Sequence, residues 1–249
     1  MTDSFAFLLF SMATVAAAGY VRGYGGFGFS MITVAALSIF CAPSQVVPVV
    51  LLLEVAASLF LLPGAWQSVA WPVLSWMLLG VILGTPLGVW LLGSVSPLPM
   101  KMAVAAIIFA LALLLRRGFV MARRLTRLET LATGMAAGVL NGAAAVGGPP
   151  AVLFFFSSPA GATVSRASLI LFFMVTDLLA AGACAAAGLL DTGHARQALI
   201  LVIPMAVGLF FGKNAFLRTP ETVFRQRVLL FLMVLSLLTL LRAAYAAMA

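Results

Sequence analysis

Charge is what this chain has least of. Only 8% of its 249 residues are charged, against about 25% in soluble globular domains, whereas 64% are hydrophobic and the mean hydropathy is +1.22. That balance excludes a water-soluble fold. Polar stretches long enough for a separate soluble domain are also missing, because apolar runs recur from Phe5 to Leu241. Residues 1–249 are therefore expected to form one transmembrane domain in the lipid bilayer. With one histidine and six acidic residues there is little material for a convergent nucleophile, acid/base pair or metal set. His194 lies in the short loop 191–196, where one histidine beside one aspartate reads as a solvated loop residue rather than a ligand. The two cysteines, Cys41 and Cys184, lack C-x-x-C spacing, and packing is their expected role. Neither an enzyme, nor a metal, nor a cofactor is expected.

What the chain does carry is a basic excess, with a net charge of +8. Five of its fourteen basic residues, Arg116, Arg117, Arg123, Arg124 and Arg127, fall in one loop between apolar runs, as the positive-inside rule requires. Topology thus explains the basicity, and a nucleic-acid partner is not expected. The first twenty residues end in an Ala-rich stretch resembling a cleavage site, yet they have no basic leader and their glycines recur later in the chain. A retained membrane segment is expected there. Trp66 and Trp71 open an apolar segment, where an interfacial belt would place them.

Apolar length and helix breakers divide the chain into segments at 4–21, 28–41, 45–63, 70–93 and 97–115, then a basic loop at 116–128. A second set follows at 130–146, 148–158, 163–189, 197–212 and 222–246. The second segment of each set is about 11 to 14 residues, short of the roughly 20 a membrane-crossing helix needs. Two glycine-rich runs precede these short segments, GYVRGYGGFG at 19–28 and GVLNGAAAVGGPP at 138–150. Aligning them superposes Ala17, Ala18, Gly19, Gly23 and Gly28 on Ala136, Ala137, Gly138, Gly142 and Gly147. Further on, Gly84-x-x-x-Gly88 before Pro97 answers Gly208-x-x-x-Gly212 before Pro220, and Arg116 answers Arg242. The chain reads as a duplication of about 120 residues, repeat 1 over 1–116 and repeat 2 over 129–249.

Charge orients the halves. With 116–128 on the cytoplasmic side, the second basic group, Lys213, Arg218, Arg225 and Arg227, belongs there too, which requires an even number of crossings between them. Segments 163–189 and 197–212 supply two, so 130–146 and 148–158 must enter and leave on one side. The expected fold is an all-α membrane protein of two inverted repeats, each a broken or re-entrant helix pair plus three transmembrane helices, with both termini outside. Segment 4–21 leaves one alternative open, since it could cross alone.

Paired breaks in corresponding positions point to the binding site of a secondary transporter, because freed backbone groups persist only where protein or a water-filled cavity receives them. Arg22 sits inside the first break, at a depth where an uncompensated guanidinium costs about 2.5–3.5 kcal/mol. Either it binds an anion through its planar fork or it snorkels to the interface. Asn141 is its counterpart, able to donate to the same ligand or to join two helices. Gly25, Gly26, Gly28 and Ser30 in the first half, and Gly147, Gly148 and Pro149 in the second, open the short helices and would aim their positive ends at an anion. Glu54 and Asp177 lie well inside apolar segments. Such a carboxyl either holds a proton that it exchanges when a gate admits water, or pairs with Arg22 or Arg166. One of the two is expected to couple or gate transport. Arg166, near the start of its segment, reads as an interfacial anchor, with substrate contact as the alternative.

The run G-x-x-x-G-x-x-x-G-x-x-x-x-G-G-P-P, here Gly134 to Pro150, resembles the second-half signature of the TauE/SafE family of sulfite exporters. The first-half run from Val21 to Ser30 is similar to that family's V-R-G-x-x-G-F-G variant. A proline that many members carry after the first glycine cluster is not found in Met31 to Leu37. The resemblance spans essentially the whole chain. It implies a bacterial inner-membrane transporter of sulfite, sulfonates or related sulfur-containing organic anions, coupled to a proton or sodium gradient. A channel or cation carrier using Glu54 and Asp177 is the alternative within transport.

Overall fold

In so apolar a chain the backbone must satisfy its own hydrogen bonds, and the α-helix does this within a single segment. The computed structural model describes residues 5–95, 99, 126–145, 147–157, 161–220, 223, 230 and 234. In chain order its helices are α1 (Phe5–Gly25), α2 (Phe29–Leu37), α3 (Pro43–Leu61), α4 (Trp71–Ser94), α5 (Arg127–Ala144), α6 (Gly148–Ser157), α7 (Ala162–Ala186) and α8 (Thr192–Leu217). Two single 3₁₀ turns, Leu62–Gly64 and Trp66–Ser68, join α3 to α4. Five helices are long and apolar enough to cross a membrane: α1, α3 extended to Gly64, α4, α7 and α8. The protein is thus a multi-pass, all-α membrane protein. The predicted segments at 97–115 and 222–246, and the arginines of the basic loop from Arg116 to Arg124, fall outside the continuously described stretches.

Local sequence sets the helix starts. Thr126 and Glu129 form a reciprocal capping box before α5, and Asp191 and His194 form one before α8. Pro43 and Pro72 occupy first turns, where no intrahelical donor is lost.

The centre is built by α3 and α7, which are buried almost without interruption through Val46–Leu51 and through Ala167–Phe173. Two close-packed pairs flank them, α1 with α8 and α4 with α5. Both pairs are glycine seams with the helices running parallel. Gly19 meets Met205 and Leu209 while Gly23 meets Leu209 and Lys213; Gly80 meets Leu131 and Met135 while Gly88 meets Val139 and Ala143. The two seams match residue for residue. Gly19 meets the Met205 carbonyl as Gly138 meets that of Val81, and Gly23 meets Leu209 as Gly142 meets Thr85. Backbones this close leave no room for a Cβ, which is the use small residues have between membrane helices. Leu83 and Trp90 on α4, with Ile203 and Phe211 on α8, face away from the protein as a lipid-facing surface would.

These seams correct the width of the breaks. The sequence reading treats 19–28 and 138–150 as interruptions, but Gly19, Gly23, Gly138 and Gly142 all remain helical because a neighbouring helix fills the space their side chains lack. The interruptions are confined to 26–28 and to the short stretch between Ala144 and Gly148. Each begins with a left-handed residue, Gly26 at φ 78° and Ala145 at φ 53°. Their N–H groups close the last turns on Arg22 O and Asn141 O, both at 2.7 Å. Ala145 tolerates at roughly 1–2 kcal/mol a conformation that glycine adopts freely.

Candidate functional site

Arg22 lies one turn before the first break and is completely buried. Its Nη1 donates to Gly26 O at 2.8 Å, so the left-handed turn it precedes is tied back to it. Its Nη2 donates to Ser58 Oγ at 2.7 Å and lies 3.1 Å from Glu54 Oε2. Phe173 of α7 covers the guanidinium, its ring centroid 4.6 Å from Cζ. Arg22 therefore does not snorkel. Its Nε is left without a hydrogen bond, and the ion pair to Oε2 lacks hydrogen-bond alignment. The other Glu54 oxygen, Oε1, accepts the main-chain N–H of Ser30 at 3.1 Å, in the first turn of α2. That turn follows Gly28, whose φ of 94° lets the chain reverse into the helix.

The second half repeats this plan with different chemistry. Asn141, also buried, donates from Nδ2 to Asp177 Oδ1 at 2.7 Å and accepts the Gly147 N–H on Oδ1 at 3.2 Å. Asp177 Oδ2 has no hydrogen-bond partner. Thirty-six residues separate Arg22 from Ser58, and thirty-six separate Asn141 from Asp177. Ser58 and Asp177 are thus equivalent, and one turn earlier Glu54 answers Phe173. The acidic group sits one helical turn apart in the two halves, so Arg22 meets its carboxylate as an ion pair whereas Asn141 meets its own through a neutral amide.

The two short helices approach each other at their starts. A Cβ on Gly148 would lie 3.4 Å from the Phe173 ring and 3.8 Å from Met31 Sδ, in the first turn of α2. Of the residues singled out from sequence, Arg22, Ser30 and Glu54 form one cluster, and Asn141, Gly147 and Asp177 another. Phe173 joins them, and Gly26 contributes its carbonyl. Gly25 closes α1 without a side chain to offer. The Pro149 side chain lies outside the described residues. The tip of α6 is poorer in donors than the sequence reading supposes. Pro149 and Pro150 have no N–H, and the Gly147 N–H is taken by Asn141.

Ser58 and Phe173 were not foreseen, since one hydroxyl and one ring among apolar neighbours carry no local signal; the repeated spacing of thirty-six residues would have exposed Ser58. Arg166 has a different role from an interfacial anchor. Its Nη2 and Nε donate to Gly23 O at 2.6 Å and Tyr24 O at 3.3 Å, capping α1, while its guanidinium stacks 4.3 Å over Phe216. Outside the membrane helices, the Asp191 carboxyl is held below its usual range, chiefly by the His194 backbone N–H. Among the described residues, no group of three or more His, Cys, Asp or Glu could hold a metal ion.

No curated protein and no solved structure gives a significant match to the chain. A family match, in contrast, runs from residue 11 to residue 239 and takes in both breaks, the Arg22 and Asn141 clusters and both glycine seams. With five apolar helices long enough to span a membrane, the chain belongs to the sulfite exporter TauE/SafE family of membrane transporters.

Proposed function

We propose that the protein is a secondary transporter of the bacterial inner membrane that carries sulfite, an organosulfonate or a similar small organic anion by alternating access, driven by an ion gradient. The observation that carries this reading is Arg22: a fully buried guanidinium, where the two helix breaks approach, whose only contacting counter-charge among the described residues is Glu54. Its fork matches the oxygens of a sulfur oxyanion, and the N-terminal turn of α2 beside it offers main-chain N–H groups of the same polarity. Gly25, Gly26, Gly28, Ser30, Asn141, Gly147, Gly148 and Pro149 complete the proposed binding region, with Glu54 and Asp177 as the coupling or gating groups.

Inverted repeats are part of the proposal. Phe7 and Phe10, early in α1, pack edge-on against Phe40, which follows α2, so both ends of the α1–α2 pair meet at one end of the bundle. Arg166 at the start of α7 caps the end of α1, and Ala70 before α4 donates to Ser168 early in α7. Together with the parallel seams, these contacts support α1, α3 and α8 running one way and α4, α5 and α7 the other. Repeat 1 over 1–116 and repeat 2 over 129–249 would then be related by inversion, with the loop 116–128 cytoplasmic. Each seam would join the first helix of one repeat to the fourth of the other, leaving the central elements to rock between them.

Counterflow of radiolabelled sulfite in proteoliposomes tests the reading. Wild type exchanges the label, and Arg22→Ala, shown folded by its helical content and elution profile, does not. Unchanged exchange by folded Arg22→Ala would remove Arg22 from the site.

A further inference from the structure

We infer that Glu54 is a built-in occupant of the anion site, so that an incoming anion reaches Arg22 only as Glu54 leaves it and takes up one proton. This rests on the transport reading above and names its coupling ion and the group that carries it.

One carboxylate already holds both donors that a bound anion would need. Glu54 Oε2 is 3.1 Å from Arg22 Nη2, and Oε1 takes the Ser30 N–H at 3.1 Å. Nη1 is committed to Gly26 O, and Nη2 is shared with Ser58. Only the buried Nε has no partner. An anion therefore replaces Glu54 at the guanidinium rather than joining it.

Charge makes the replacement stoichiometric. Around Glu54, α1 contributes Arg22, and Asp177 of α7 is within electrostatic reach. The first turn of α2 contributes an N–H, and α4 contains no charged residue. Lys213 of α8 reaches toward Gly64 at the far end of α3, and Arg166 is engaged with Gly23 and Tyr24. No second cation faces the carboxylate among the described residues. Two anions ~4 Å apart in such surroundings would weaken binding on the order of a thousandfold. A proton on Glu54 removes that repulsion and leaves the buried net charge as it was. One anion and one proton enter together, and the only bond formed is the O–H of the Glu54 acid. Asp177 does not compete, because its contacting partner is the neutral Asn141 amide.

Sulfite binding to full-length wild type and Glu54→Gln, measured across pH in detergent and as half-saturation of counterflow, tests this. Sulfite's own titration cancels in the ratio of the two affinities. Glu54→Gln should bind more tightly, by a factor growing about tenfold per pH unit where wild type must draw a proton from solution. A second measurement needs no variant: on adding sulfite, the infrared difference spectrum of wild type should gain the carbonyl band of one protonated acid. A pH-independent affinity ratio, weaker binding by Glu54→Gln, or no acid band in wild type while sulfite is transported would each overturn the inference alone. No sulfite binding or flux by wild type would overturn the transport reading, and this inference with it.

Discussion

Replacing Arg22 by methionine removes the only cation among the described residues that touches Glu54 and leaves that carboxylate in the protein interior with one N–H for support. Breaking a buried ion pair from one side costs about 3–5 kcal/mol, a large share of the 5–15 kcal/mol that typically holds a domain together. Adding Glu54→Gln takes away the stranded charge while keeping an acceptor for Ser30 N–H. What then remains lost is the guanidinium's hydrogen bonding to Gly26 O and Ser58 Oγ, about 1–2 kcal/mol after water and neighbours compensate. The double variant R22M/E54Q should therefore be more stable than R22M alone by about 2 kcal/mol. Reversible unfolding in mixed micelles, followed by loss of helical circular dichroism, measures the difference. The double variant should nevertheless fail to exchange sulfite. A double variant no more stable than R22M would refute the ion-pair energetics, and one that still exchanged sulfite would refute Arg22 as the anion-binding group.

The glycine seams predict a matched pair of defects. A Cβ would lie 2.6 Å from Met205 O at Gly19 and 2.8 Å from Val81 O at Gly138, so Gly19→Ala and Gly138→Ala should each lower stability by about 1–3 kcal/mol. Gly182, with nothing within 4 Å, is the control: Gly182→Ala should be neutral or gain up to about 1 kcal/mol from helix propensity in the same unfolding assay. Topology is checked by cysteine labelling from outside the cell, which should fail beside Arg123 and Arg218; modification at either position contradicts inverted repeats. At the start of α8, Asp191 is held below its usual range in the folded state, so its cap is fully present above the ordinary carboxylate range and is lost as pH falls through the depressed value. Amide exchange at 192–195, corrected for intrinsic rates, should accelerate with acidification in wild type and lose that pH dependence in Asp191→Asn.

Much of the architecture was legible because it depends on composition over long windows. Apolar length located the five spanning helices and the two short ones. Glycine was harder to read. Gly23 and Gly26 are three residues apart in one run, yet Gly23 packs a helix seam and Gly26 reverses the chain. The residue type permits both, and only the neighbouring helix decides. At position 145 the reversal is made by alanine, which carries no such mark in sequence. The individual members of the polar clusters were visible as polar residues in apolar surroundings. Their pairing was not, since Glu54 and Asp177 could each have met Arg22 or Arg166.

By itself, then, the sequence determined that this chain lives in a membrane, that two glycine-rich runs in it match each other, and that a polar residue, Arg22 or Asn141, lies within each. Those properties are sums over residues or matches between them, and they survive any arrangement of the helices. Tertiary structure alone decided that Arg22 faces Glu54, that Asn141 faces Asp177, and that Arg166 is spent on capping α1. A buried charge is neutralised by whichever group lies within about 4 Å, and that is set by how far each helix is rotated and shifted against the next.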